Sequence, residues 1–203
     1  PSRPLARAAT EPGRGLLLYV DSPEGVALLD AALAAEDLRL DVLVEIGYAG
    51  GRTGARGLDA AMATAEAVLA APRLRLAGTA GYEGGIGGAL EPGVLARVDT
   101  FLTEIAALTR ELGGRFETPE PVVTAGGSVF FDRVVRILGP AAADVGGRLV
   151  VRAGCTLIHD HGLYARTDPA ARAVEGAPEF AAALSVWARV VSTPEPGLAL
   201  LDA

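Results

Sequence analysis

With 203 residues, the chain is long enough to bury a sizeable core, since a chain of this length hides roughly 70% of its unfolded surface. Half of the residues are hydrophobic and 21% are charged, which argues against a disordered protein. The formal net charge of −7 argues against a general binder of nucleic acids or anionic membranes, and no apolar run reaches the roughly 20 residues of a membrane span. The single cysteine, Cys155, excludes an internal disulfide framework and favours a reducing, cytoplasmic compartment.

Strand-like and helix-like segments alternate after a Pro-, Arg- and Gly-rich stretch at residues 1–15, which we interpret as a tail or linker. The predicted strands are at residues 16–20, 40–46, 74–77, 122–123 and 149–158. Ser22 and Pro23 are typical of a helix cap and a first helical residue. Further helices are predicted near residues 58–71, at residues 94–112 and after the fourth strand, through Leu138. The helix at 94–112 is the clearest, because its apolar residues recur at steps of three and four.

This alternation predicts parallel βαβ units, and thus an α/β fold built as a barrel or a doubly wound sheet. The pattern changes after about residue 165. Residues 186–191 and 198–201 then read as strands, with no helix of comparable strength between them. We therefore predict a tail at 1–15, an α/β domain at 16–165 and the start of a smaller β-rich domain at 166–203.

Two glycine-rich segments follow predicted strands, at the end where α/β barrels place their active sites. Residues 44–54 carry Arg52, a permanent cation, and residues 77–88 carry Tyr82, which can bond to or stack on a ring ligand. The alternative is a pair of surface loops with a solvated arginine and a packed tyrosine. The residue types alone leave both interpretations open.

A third glycine-rich segment, residues 124–128, lies between a strand and a helix. Successive backbone N–H groups at Gly126 and Gly127 would suit a phosphate, and Ser128 could add a hydroxyl donor. Turns of this kind are common, so the motif alone is a weak indication.

A fourth segment, residues 152–162, holds both histidines of the chain. If it were a strand, His159 and His161 would point to the same face and could ligate a metal. Two ligands do not make a site, however, and a solvated or hydrogen-bonded pair is the alternative. Cys155 is expected to be a buried small residue rather than a nucleophile.

Taken in order, these segments resemble the D-serine dehydratase-like and D-threonine aldolase-like branch of the fold-type III pyridoxal-phosphate enzymes, and bacterial amino-acid deaminases in particular. The segments that carry the resemblance are residues 20–33, 42–56, 76–85, 122–132, 150–164 and 194–203. It spans nearly the whole chain. The resemblance implies a partial (β/α)8 barrel of the alanine-racemase type, whose C-terminal part is residues 16–165, followed by the start of a β-rich domain.

The resemblance also implies a site for pyridoxal 5'-phosphate at the open end of the barrel. Arg52 and Tyr82 match the family's arginine and tyrosine beside the pyridoxal ring. The residues that match its phosphate-binding segments are Gly126, Gly127, Ser128, Gly154 and Cys155. His159 and Asp160 are the candidates for catalytic contacts, and Arg152 is a further candidate for a ring or substrate contact.

The chain departs from the family pattern in two ways. Gly47 stands where much of the wider family has an aspartate, so no role of that aspartate is carried over. All 18 basic residues are arginines, so the chain has no lysine to anchor the cofactor covalently. We therefore expect a central fragment that is inactive alone. The ligands of a possible zinc ion are expected beyond Ala203.

The function implied by the resemblance is that of a lyase acting on D-hydroxy amino acids, converting D-serine to pyruvate and ammonia. Retro-aldol cleavage of D-threonine is the first alternative. The second is a protein that binds the cofactor or another phosphate ligand without catalysis. The expected partners are a small D-amino acid and a second copy of the protein in a homodimer, and neither nucleic acid nor a membrane.

Overall fold

A computed structural model describes residues 15–36 and 38–202, so the predicted tail at residues 1–15 lies, except for Gly15, outside the described residues. The chain forms two compact units, one reaching to Ala153 and the other beginning at Gly154. The predicted domain boundary after residue 165 stays a prediction.

The first unit alternates strands and helices, as the sequence pattern predicts. Its elements are β1 (Leu17–Val20), α1 (Pro23–Ala32), β2 (Leu40–Gly47), β3 (Ala55–Arg56), α2 (Leu58–Ala70), β4 (Leu74–Ala80), α3 (Val94–Leu112), a 3-10 helix (Gly113–Arg115), β5 (Val122–Ala125), α4 (Phe131–Asp144) and β6 (Arg148–Val151). The parallel strands lie in the order β1-β2-β4-β5-β6, and the short β3 pairs with β2. Sequential parallel neighbours joined by helices are the arrangement of a (β/α)8 barrel wall, so the predicted α/β partial barrel is confirmed.

Local sequence signals set the ends and faces of the helices. The Ser22 hydroxyl accepts a hydrogen bond from the Gly25 backbone N–H at 3.2 Å, and Pro23 begins α1, as predicted. The predicted apolar face of α3 is buried from Val94 to Leu112. Within that face, the Thr109 hydroxyl contacts the Thr79 hydroxyl of β4 at 2.7 Å, which pairs two polar groups inside the core.

A glycine permits the closest approach between two strands of the sheet. Leu76 and Gly78 of β4 pair with consecutive residues of β2, so Ala77 is an extra residue and forms a bulge. Gly78 has φ +153°, and a Cβ at this position would overlap the Val122 carbonyl group of β5. The pairing of β4 with β5 therefore requires glycine at position 78.

Strand β6 is shorter than predicted. The sequence predicts a strand over residues 149–158, whereas β6 ends at Val151 and a 3-10 helix occupies Gly154–Leu157. The physical reason is the neighbouring strand. The Ala125 carbonyl accepts the last ladder bond, from the Arg152 N–H at 3.2 Å, and β5 then turns away at Gly126, whose φ is +147°. Residues after 152 thus have no strand to pair with.

The second unit contains a short helix, α5 (Leu163–Thr167), and a hairpin of β7 (Val190–Glu195) and β8 (Leu198–Leu201). The predicted strand at 198–201 matches β8, whereas the one predicted at 186–191 overlaps β7 only at its end. The Trp187 side chain, which precedes β7, is 97% exposed. Among the described residues of both units, no helix has the length and apolar character needed to cross a membrane.

Replacing Gly78 with alanine should destabilise the first unit by about 3 kcal/mol, because the new Cβ would force β5 away from β4 and strain the backbone. Urea unfolding measures this change. Gly114→Ala is the matched control, since a Cβ there meets nothing within 4 Å. Equal stabilities of the two variants would contradict the close β4–β5 approach.

Candidate functional site

The carboxyl ends of the parallel strands surround a cavity of about 640 Å³, which we call the strand-end cavity. Its lining residues come from β1, β2 and β4–β6 or from the loops that follow them. They are Tyr19, Asp21, Glu45, Arg52, Thr53, Tyr82, Gly126 and Arg152. This is the edge of the sheet where α/β proteins bind their ligands.

Three of the cofactor-binding residues suggested by the sequence lie together in this wall. Arg52 and Tyr82 come from different loops, yet the Arg52 guanidinium carbon lies 5.9 Å from the centre of the Tyr82 ring. This separation suits a cation–π contact. The Tyr82 side chain is 38% exposed, which leaves part of its surface accessible to a ligand. Gly126 completes the set from the loop after β5.

Arg152 is held more firmly than Arg52. Its guanidinium donates to the Thr124 hydroxyl at 2.7 Å and to the Gly81 carbonyl at 2.8 Å, and lies 5.4 Å from the centre of the Tyr19 ring. These contacts come from β1, β5 and the end of β4. Arg152 therefore places a fixed positive charge in the cavity wall.

Two carboxylates in the same cavity wall were not predicted from the sequence as site residues. Asp21 accepts a hydrogen bond from the Gly54 N–H at 3.1 Å, and Glu45 accepts one from the Thr53 hydroxyl at 3.1 Å. The parallel register that pairs Val20 with Val44 brings the two acids side by side. The sequence did hold a signal, since Glu45 is the one charged residue among residues 42–47, which are otherwise apolar.

A third acid, Glu83, is completely buried beside the cavity. Its two carboxylate oxygens accept hydrogen bonds from the backbone N–H groups of Gly126, at 3.0 Å, and Gly127, at 2.5 Å. Burial raises the pKa of the Glu83 carboxyl above its ordinary value of 4.5, and the bonds from these amides and the Arg152 charge oppose that shift. The N–H groups suggested for phosphate thus have an acceptor within the chain.

The structure also explains why no aspartate stands at position 47. A Cβ on Gly47 would overlap the Thr53 carbonyl oxygen and the Arg56 guanidinium. Arg56 in turn donates to the carbonyls of Gly51, Thr53 and Gly54 at 2.7–2.8 Å, which closes the loop tightly around Gly47. This arginine takes up the space that a side chain at position 47 would need.

Ser128 lies in the turn between β5 and α4 and is half-buried. The other suggested residues lie in the second unit. Gly154 and Cys155 begin its 3-10 helix, and Cys155 is exposed, so the expectation of a buried cysteine is wrong. His159 does not lie in a strand, because its φ is +53°. The geometric argument that His159 and His161 share a strand face is therefore wrong.

Within the second unit, the His159 ring packs against other side chains. Its ring contacts the Asp168 carboxylate at 2.9 Å, both side chains being buried, and stacks on the Phe180 ring at 5.8 Å. Asp160 accepts hydrogen bonds from the N–H groups of Gly162 and Tyr164. Over residues 15–36 and 38–202, no group of three or more histidine, cysteine, aspartate or glutamate residues is placed to hold a metal ion.

Comparisons with known proteins find similarity among solved structures. No protein-family model and no curated protein matches the chain. Among solved structures, D-threonine aldolase from Filomicrobium marinum matches with a TM-score of 0.70 and 29% identity. The match covers 98% of this chain and 50% of the aldolase, so the chain spans about half the length of that protein.

Two other structures are more distant. A protein from Aquifex aeolicus matches with a TM-score of 0.50 and 12% identity, over 67% of this chain and 34% of its own. Alanine racemase from Bacillus anthracis matches with a TM-score of 0.42 and 16% identity, over 55% of this chain and 28% of its own. The Aquifex structure supports the fold, and the racemase similarity is too low to add to it.

The buried Glu83 should make stability depend on pH in a defined direction. Because its pKa is raised on folding, the folded state binds the proton more tightly, and the stability contributed by this group falls as pH rises through the folded-state pKa. The stability of the natural chain relative to Glu83→Gln should therefore decrease as the pH rises above 4.5, the ordinary pKa of this carboxyl group.

Urea unfolding at a series of pH values measures that difference. Glu111→Gln, at an exposed position of α3, controls for the general effect of removing a carboxyl group. A difference that grows with rising pH would show that the pKa of Glu83 is lowered on folding instead.

Proposed function

We propose that this chain supplies the cofactor-binding half of a pyridoxal-phosphate enzyme that acts on D-hydroxy amino acids. The observation that carries the proposal is the strand-end cavity, where Arg52, Tyr82 and Arg152 converge from three loops. The similarity to D-threonine aldolase over 98% of the chain supports the same assignment. The segments that resemble fold-type III enzymes include the three loops that bring these residues together.

The cavity has the size and chemistry that an aromatic phosphate ligand requires. Its volume of about 640 Å³ lies within the usual range for cofactor and small-molecule sites. Two tyrosine rings and two guanidinium groups line it, which suits an aromatic ring that carries negative charge. The chain has no lysine, so a covalent anchor for the cofactor would have to come from another segment.

Each side chain has a role that follows from its contacts. Arg52 and Tyr82 would lie against the ring, and Arg152, fixed by Thr124 and Gly81, would receive an anionic group of the ligand. The carboxylates of Asp21 and Glu45 would attract the ammonium group of an amino acid. The bound cofactor would supply an electron sink for the carbanion that forms at the α-carbon.

Elimination of water from D-serine, followed by hydrolysis of the resulting enamine to pyruvate and ammonia, is the reaction we infer from the resemblance to D-serine dehydratases. Cleavage of the Cα–Cβ bond of D-threonine is the second candidate, and the aldolase similarity favours it specifically. Both reactions would use the same cavity and the same charges. They differ in which bond to the α-carbon breaks.

Replacing Arg52 with alanine should weaken pyridoxal-phosphate binding by the chain about tenfold or more, because a charge-assisted contact is lost. Titration followed by the cofactor's absorbance or by tyrosine and tryptophan fluorescence measures the affinity. Arg148→Ala is the matched control, since Arg148 lies on β6 at the opposite end from Arg152 and pairs only loosely with Glu120 at 3.6 Å. Equal loss in both variants, or no binding by the natural chain, would contradict the proposal.

The reaction itself requires a protein that combines this chain with a lysine-bearing segment. With such a protein, release of pyruvate from D-serine supports the dehydratase, and release of acetaldehyde from D-threonine supports the aldolase. Cofactor binding without either product would identify a non-catalytic binding protein.

A further inference from the structure

The loop after β4 and the glycine turn after β5 are joined through one buried side chain. Glu83 lies in the first loop, and Gly126 and Gly127 form the turn. The Glu83 side chain is 0% exposed, and each of its carboxylate oxygens accepts one backbone N–H of the turn. A buried carboxylate needs such donors, because an unpaired one would cost several kcal/mol.

The backbones of the two loops also touch. A Cβ on Gly127 would lie 2.9 Å from the Gly84 Cα and 3.5 Å from Glu83 Oε1. Neither loop can therefore move far without breaking the contact. This close packing fixes the Glu83 carboxylate opposite the two amides, in the position that an external anion would occupy.

We propose that Glu83 is an internal anion that determines which ligands the glycine turn accepts: it holds the N–H groups of Gly126 and Gly127 and denies them to free phosphate. The inference deepens the proposed function and rests on it for the identity of the ligand. It assigns Glu83 a positioning role, since Gly126 lines the strand-end cavity and Glu83 holds it there. The anionic group of a ligand must then be received by other donors, Arg152 among them.

Electrostatics supports this role. The ionised carboxylate offers both oxygens as acceptors, whereas a protonated carboxyl or an amide would place a donor against one of the N–H groups. A phosphate beside the buried carboxylate would meet like charge in a medium where screening is weak. Burial disfavours the ionised form of Glu83, and the bonds from the two amides and the Arg152 charge oppose that effect. The phenol groups of Tyr48 and Tyr82 are the other titratable groups nearby.

The test follows the amide resonances of Gly126 and Gly127 in isotope-labelled protein by nuclear magnetic resonance, with inorganic phosphate as the probe. In the natural chain, phosphate should shift neither resonance. In Glu83→Ala, which removes the carboxylate and exposes both donors, phosphate should shift both, and its affinity should rise about tenfold or more. Glu111→Ala should behave like the natural chain.

Shifts of both amides by phosphate in the natural chain would overturn the inference, whether or not the alanine variant folds. Glu83→Gln supplies a second measurement: the two amide resonances should follow one common ionisation with pH in the natural chain and lose that dependence in the variant. Persistence of the dependence would also overturn it. Failure of the chain to bind pyridoxal phosphate would instead count against the proposed function and leave these phosphate results interpretable.

Discussion

The parallel pairing of β1, β2, β4, β5 and β6 is the constraint on which the rest of the first unit depends. Because the strands run in one direction, their carboxyl ends meet at one edge, and the loops that follow them must share that edge. Residues far apart in the chain, such as Asp21 and Arg152, thereby line a single cavity. The pairing in turn requires Gly78, where β4 and β5 approach too closely for a side chain.

Hydrogen bonds hold the charged side chains at this edge in place. Arg152 is held by the Thr124 hydroxyl and the Gly81 carbonyl, and Glu83 is held by the amides of Gly126 and Gly127. A ligand therefore meets groups that are already oriented, which lowers the cost of binding. The presence of both cations and carboxylates favours a ligand that carries both signs of charge, as an amino acid does.

Much of the fold could be predicted because its signals are local. The Ser22 cap and the apolar face of α3 can be read from spacing alone, and Arg52 and Tyr82 stood out in glycine-rich loops after strands. The roles of Glu45 and Glu83 were not predicted, because they depend on partners that strand pairing and loop packing bring close. The end of β6 was misplaced for the same reason, since it depends on where β5 turns.

A crystal structure of the chain grown with pyridoxal phosphate would test the central claim most directly, namely that the strand-end cavity is the cofactor site. The account predicts the ring against Tyr82 and Arg52, its anionic group near Arg152, and Glu83 still bonded to Gly126 and Gly127. A cofactor bound outside this cavity would contradict the account, and so would a phosphate that displaces Glu83 from the two amides.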